Sequence, residues 1–260
     1  MKIVVCIKQV LDPRGITVNR KAEKVFVNRE EYLLDPASRA ALQVAASIKA
    51  NAPSANGAGP VEIVALSLGS DRVDDALREA MAFGADRAIL LKDAAFDKAD
   101  ALVTANALAA ALQKIGAFDL VLLGARSLDT GSGELAARLA EALDVPLAAD
   151  MVSIEAKAGA IKGVRQYGDA FLRVEVDLPA VASIVVEAFD VGFPSGWRLM
   201  DAYKKWTVEM WSAADLGLSE NDVRPMATKK EDAFPPERQF GTPVKDVKEL
   251  VALLRRERVI

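Results

Sequence analysis

Four strand-length runs, residues 3–7, 62–67, 88–91 and 119–123, are apolar on both faces, and they constrain this chain's fold more than any other feature. A half-exposed strand alternates polar with apolar residues. A strand apolar throughout belongs to a parallel sheet covered by helices on both sides. The segments between the runs carry the helical period. Asp35 and Pro36 open one helix, Asp as N-cap and Pro in the first turn, with Ala41, Val44, Ala45 and Ile48 as its stripe. Ser70 is expected to cap a second, which turns Val73, Ala76, Leu77, Ala80 and Met81 inward and ends at Gly84. A third spans residues 99–116 around Leu102, Leu108, Leu112 and Ile115. A fourth spans 134–143 around Leu135, Leu139, Ala140 and Leu143. This strand–helix alternation over residues 2–145 predicts an α/β fold with a doubly wound parallel sheet.

After Pro146 the pattern changes to strands without helices, at 151–155, 161–166, 171–176 and 180–186. Gly159 and the Gly168-Asp169 pair supply turns, so an additional β-hairpin region is expected. Residues 14–30 read as a small hairpin, 51–60 as a Gly/Pro/Asn/Ser connector, and Lys229, Lys230, Glu231 and Asp232 as a solvated loop. Residues 190–236 show no regular period, yet all three tryptophans fall there: Trp197, Trp206 and Trp211. Large apolar groups are rarely left bare on a monomer, so this arm is expected to bury them against another subunit. Residues 244–256 return to an amphipathic helix with Val247, Leu250, Val251 and Leu254 as its apolar positions. The expected organisation is an α/β domain over 1–189, an extended arm over 190–236, and a helical end over 237–260 that packs back on a core.

Composition narrows the chemistry. At 52% hydrophobic and 27% charged the chain can bury a substantial core, and a net charge of −4 gives no electrostatic footprint for nucleic acid. Histidine is absent, which removes every His-based triad and every His-ligated metal site. The one cysteine, Cys6, can form neither an internal disulfide nor a zinc knuckle and reads as a small buried residue. No stretch approaches the roughly 18 apolar residues of a membrane-spanning helix. The opening MKIVVCIKQV suits a buried strand better than a signal peptide, so a cytoplasmic location is expected.

In an open parallel sheet, ligands sit at the carboxyl ends of the strands where strand order reverses. The loops after the first strand (Cys6 to Asp12) and the second (Ser67 to Ser70) qualify by position. The loop after the fourth is the richest: Gly124, Ala125, Arg126, Ser127, Leu128, Asp129, Thr130, Gly131, Ser132, Gly133, Glu134 and Leu135. Its end joins small residues to a helix N-terminus, an arrangement that favours an anion such as phosphate. It is neither a Walker A loop nor a GxGxxG fingerprint, and Gly131 and Gly133 read equally as a phosphate cradle or as turn chemistry.

Taken in order, several segments resemble the β subunit of electron-transfer flavoproteins. VVCIKQVLDP is similar to that family's opening, and Leu34-Asp35-Pro36 falls at the entry to its first long helix. VALSLGSDRVDDALREAMAFGADRAILL resembles its second β-α-β unit, and FDLVLLGARSLDTGSGELAARLAEALDVP fits its nucleotide loop without a gap. DLPAVASI and WSAADLGLSENDV resemble later segments, so that the likeness covers nearly the whole chain.

The resemblance implies a Rossmann-like domain of the adenine nucleotide α-hydrolase type, in the non-catalytic half of a heterodimer whose α subunit holds a redox FAD. It implies AMP, or in some members a second FAD, against Cys6, Asp35, Pro36, Ala37, Ser38, Leu68 and the loop from Gly124 to Leu135. It also implies electrons arriving from a flavin dehydrogenase and leaving to a quinone reductase or another acceptor. A partner-recognition leucine falls nearest Leu199. The chain departs from the family where Glu134-Leu135-Ala136 replaces Gln-Thr/Val-Gly. A carboxylate in the first helical turn competes with phosphate if it points inward and leaves the backbone donors free if it points outward. The competing reading is a stress-type or α-hydrolase-like adenine-nucleotide binder without a redox role. The loop from Lys8 to Asp12 lacks the glycines and serines of a pyrophosphate loop, and no Gly-x2-Gly-x9-Gly spacing follows Gly124.

Overall fold

A computed structural model of the chain describes residues 1–52, 60–157, 159–227, 234, 236 and 241–260. Most of the connector expected at 51–60, and the run Lys229, Lys230, Glu231 and Asp232, lie outside the described residues. In chain order the elements begin with strands β1 (Lys2–Cys6), β2 (Gln9–Leu11), β3 (Ile16–Asn19), β4 (Lys24–Val27) and β5 (Tyr32–Leu34). Helix α1 (Pro36–Asn51), β6 (Glu62–Leu68), α2 (Val73–Phe83), β7 (Arg87–Leu91), α3 (Ala101–Ile115), β8 (Leu120–Gly124) and α4 (Leu135–Leu143) follow. Then come β9 (Leu147–Lys157), β10 (Ala160–Tyr167), β11 (Ala170–Asp177), β12 (Ala180–Ile184), α5 (Gly196–Lys204), β13 (Glu209–Trp211) and α6 (Val247–Arg256). Two compact units result: Met1–Thr17 with Val27–Thr228, and Val18–Phe26 with Lys229–Ile260.

The first unit is built on a nine-stranded sheet of order β11-β10-β9-β12-β8-β1-β6-β7-β13. β1 pairs in parallel with both β6 and β8. The chain therefore runs outward through β6 and β7, then returns across β1, and strand order reverses between β1 and β8. Side-chain alternation explains why these strands are apolar on both faces. Ile3 and Val5 enter a core with residues of α1 and α2, while Val4 and Cys6 enter another with residues of α3 and α4. All four are buried, and each large aliphatic side chain removed from water contributes about 1.5–3 kcal/mol.

The late strands extend this same sheet. β12 lies parallel beside β8, and β9 parallel beside β12. Asp150, at φ +52°, lies where the register of β9 on β12 shifts; their pairing ends at Met151 and Ile184, and from Met151 onward β9 pairs antiparallel with β10. The tight β10–β11 turn uses Gly168 at φ +58°, as expected from the Gly-Asp pair.

Two expectations need correction. Helix α2 begins at Val73 with Arg72 at the cap position and no side-chain cap, so Ser70 is not the N-cap; its carbonyl closes a turn onto the Val73 amide at 3.0 Å. Residues 190–236 are not devoid of regular structure, because they hold α5 and β13, and β13 pairs in parallel with β7. A three-residue strand is too short to show a period. Arg198 of α5 donates to the last-turn carbonyls of α2, Ala82 at 2.9 Å and Met81 at 3.2 Å, the usual attraction of a cation to a helix C-terminus. Beyond β13 the chain follows α3: Asp93 accepts the Ala213 amide at 3.0 Å, and Asp100 accepts those of Met226 and Ala227 at 2.8 and 3.0 Å.

In the second unit α6 is capped by Asp246, which accepts the Glu249 amide at 2.9 Å, while Glu249 accepts the Lys245 amide at 2.7 Å. None of its side chains is fully buried.

Candidate functional site

The carboxyl ends of β1 and β8 open into a cavity of about 380 Å³ at the point where strand order reverses. Its lining includes Cys6, Asp35, Ala37, Ser38, Leu68, Gly124, Ala125, Arg126, Ser127, Thr130, Ser132, Gly133, Glu134 and Leu135. Three segments far apart in sequence thus meet as the strand-end rule anticipates. Pro36, Leu128 and Gly131 line a neighbouring cavity instead. Asp129 lines neither; it pairs with Lys8.

The local chemistry explains how the crevice is held open. Asp35, 1% exposed, accepts the amide of Ala37 at 2.8 Å and that of Leu128 at 2.8 Å, so both its oxygens are engaged by backbone. Ser38 accepts the Lys8 amide at 3.0 Å and fixes the loop after β1 to α1. Gly124 is required at the end of β8, since a Cβ there would lie 2.4 Å from that of Ala37. Lys8 donates to Asp129 at 2.7 Å and joins the two loops. Burial pushes the Asp129 carboxyl upward, but hydrogen bonds from Lys8 and Ser127 and the charge of Lys8 outweigh it and hold the group below its ordinary value.

At the far end of the loop, Gly131 and Gly133 adopt φ of +61° and +71°, which gives both a turn role. Among the described residues, the amides of Ser132, Gly133 and Glu134 meet no protein acceptor, and the first-turn amides of α4 are free by helix geometry. The Glu134 carboxylate lies 2.8 Å from Arg138, one turn along α4, so its charge is already paired along the helix. Cys6 is buried, and burial pushes its thiol up to about 12, which keeps it protonated and unreactive near neutral pH. Among the described residues no cluster of acidic and cysteine side chains could hold a metal ion, and no helix is long and apolar enough to cross a membrane.

The neighbouring cavity, about 610 Å³, shares Asp35, Ala37, Ala125, Arg126 and Ser127 with the first. It continues past Asp150, Gln166, Gly168, Val185, Val186 and Glu187. Sequence reasoning missed these residues, and missed Lys8, Asp100 and Thr104 in the first cavity. The strand-end rule would have pointed to Val185, Val186 and Glu187 once β12 was placed beside β8.

The tryptophans divide. Trp206 packs against the core of α1 and α2 under the guanidinium of Arg198, 5.6 Å from its ring. Trp211 packs against the opposite core under Lys114, 4.5 Å from its ring. Trp197 is 70% exposed on α5, Phe193 just before it is 86% exposed, and Leu199 is half-buried.

Fold and crevice together define a doubly wound α/β protein of Rossmann-like build with a cavity at the topological switch point. The family model described as the electron transfer flavoprotein domain matches residues 24–216. The chain belongs to the electron transfer flavoprotein family. It is 32% identical over 221 residues to subunit CarD of the caffeyl-CoA reductase–Etf complex of Acetobacterium woodii, covering 84% of this chain and 81% of that one. It is 30% identical over 223 residues to an electron transfer flavoprotein subunit beta of Thermoanaerobacterium thermosaccharolyticum, covering 86% and 83% of the two chains. With the subunit beta of Mycobacterium bovis it shares 31% identity over 229 residues, covering 85% and 82%.

Proposed function

We propose that this chain is the β subunit of a heterodimeric electron-transfer flavoprotein: a cytoplasmic carrier subunit, not a catalyst in its own right. In this reading it binds AMP or a second FAD, supports the FAD of an α subunit, and serves transfer from flavin dehydrogenases to a quinone reductase or another acceptor. The observation that carries the reading is the convergence of the β1, α1 and β8 loops on one cavity in a chain of this family.

The residues present fit an adenine nucleotide. Cys6, Ser38, Leu68 and Gly124 would border the adenosine, and the amides of Ser132, Gly133 and Glu134 would receive a phosphate, for they have no acceptor among the described residues. A bound flavin would supply the redox chemistry, and this chain's residues would bind and orient it. Pockets for molecules of this size run from about 300 to 1,000 Å³, so the first cavity suits a mononucleotide and the two joined cavities leave room for a dinucleotide. Residues 1–189 would form the nucleotide domain. Within residues 190–236, Trp197 and Leu199 on α5 would face a partner, and 237–260 would pack back on a core.

Denaturing the purified chain and identifying what it releases by chromatography and absorbance tests the proposal. Release of AMP or FAD is expected. Well-folded protein that releases nothing, and binds neither when they are added, would overturn it.

A further inference from the structure

Charge is unevenly spread along the second cavity. Arg126 lines both cavities, and its guanidinium carbon lies 3.8 Å from where a Cβ of Gly133 would stand, so the cation sits at the junction. Beyond it the charged side chains are acidic: Asp150 and Glu187. Asp150 donates its amide to Ser183 Oγ at 2.8 Å, while its carboxylate, like that of Glu187, has no donor or cationic partner among the described residues. Asp150 is also held at φ +52°, a conformation that Asp and Asn tolerate better than most residues. Apolar Pro36, Leu128, Val185 and Val186 complete the wall.

We propose that Asp150 and Glu187 act as a charge filter for the nucleotide crevice. They admit an adenine nucleotide whose group beyond the phosphates is uncharged or cationic and carries N–H or O–H donors, and they reject a third phosphate. The inference rests on the nucleotide reading above. A phosphate beside Arg126 is compensated, whereas an anion further along meets the carboxylates of half-buried Asp150 and exposed Glu187, whose repulsion is strongest at low salt. Donor groups would instead find two strong acceptors there, and a flat ring would find the valines.

The test measures dissociation constants of AMP, ATP and FAD for the full chain at low salt, in wild type, D150N, E187Q and the double variant. Asn keeps the tolerance of position 150 for positive φ, and circular dichroism verifies folding of each variant. Wild type is expected to bind FAD and AMP more tightly than ATP, with discrimination against ATP that weakens as salt screens the carboxylates. The double variant is expected to shift the ATP-to-AMP affinity ratio toward ATP by about tenfold. If wild type binds AMP and the double variant leaves that ratio unchanged, the filter is wrong and the nucleotide reading stands. If wild type binds none of the three, the nucleotide reading fails and the filter with it.

Discussion

The carboxylate of Asp35 accepts the amides of Ala37 and Leu128, each at 2.8 Å, and so ties the first turn of α1 to a loop 93 residues further along the chain. One side chain is thus both the N-cap of a helix and the anchor of the crevice wall. An N-cap is worth about 0.5–2 kcal/mol and a hydrogen bond to a buried charge about 1.5–3. Replacing Asp35 by Ala is expected to cost about 2–4 kcal/mol in urea unfolding. Asn, whose single acceptor oxygen serves one amide well, is expected to cost about half as much. A loss below about 0.5 kcal/mol for the Ala variant would show that the tie is dispensable.

Gly124 tests how closely α1 must approach β8. A methyl group there would lie 2.4 Å from the Ala37 Cβ and 3.0 Å from its carbonyl carbon, and the contact atoms belong to a helix start that cannot swing aside. Gly124→Ala is expected to destabilise by about 1–3 kcal/mol through displacement of α1. Because the same shift widens the crevice, nucleotide affinity is expected to fall in the same variant. Unchanged stability and affinity would mean that α1 moves without consequence.

Much of this architecture is legible in the sequence, and the reason is periodicity. Runs apolar on both faces announce β1, β6, β7 and β8; a recognisable Asp-Pro cap opens α1, and the stripes alone place α3 and α4. The three-residue strands β2, β5 and β13 carry no period, and β13 exists through its pairing with β7. Position in the crevice was legible from the strand-end rule, but pairing was not. Lys8 and Asp129 are 121 residues apart, and nothing local marks them as partners. The direction of Glu134, by contrast, could have been read from Arg138 four residues on.

The segment that follows α3 is stapled by carboxylates. Asp93 lies below its usual range because it accepts the amides of Ala95 and Ala213, and Asp100 because it accepts that of Val103 and, with burial opposing, those of Ala227 and Met226. A folded-state value below the unfolded one means that the charged form is favoured by folding. The staples therefore contribute fully above about pH 4 and are lost as pH falls through the lowered values. Acid titration followed by tryptophan fluorescence is expected to report loosening around Trp211 below about pH 4. Asp93→Ala and Asp100→Ala are expected to release the segment already at neutral pH, measured as faster limited proteolysis after β13. Variants cleaved no faster than wild type would show that other contacts hold it.

Trp197 and Trp206 lie nine residues apart and play different parts. Truncating Trp206 removes a ring packed on the core and covered by Arg198, and about 1–3 kcal/mol of stability is expected to go with it. Truncating Trp197, 70% exposed, is expected to leave unfolding within about 0.5 kcal/mol of wild type while weakening co-elution with an α subunit. If Trp197→Ala co-elutes as well as wild type, α5 is not part of that interface.

Glu134 stands at the entry to α4 with its carboxylate 2.8 Å from Arg138. The pair is about two-fifths exposed on each side, so its own contribution to stability is small, on the order of 0.5 kcal/mol. Its consequence for a bound phosphate is larger, because Arg138 offsets a negative charge that would otherwise stand beside the anion. Glu134→Gln is therefore expected to change AMP affinity by no more than about threefold. Arg138→Gln leaves the carboxylate uncompensated at the helix N-terminus and is expected to weaken AMP binding several-fold, more at low salt than at high. Titration calorimetry at two salt concentrations distinguishes the cases. A large gain in affinity for Glu134→Gln would mean that the carboxylate turns from Arg138 toward the ligand when the crevice fills.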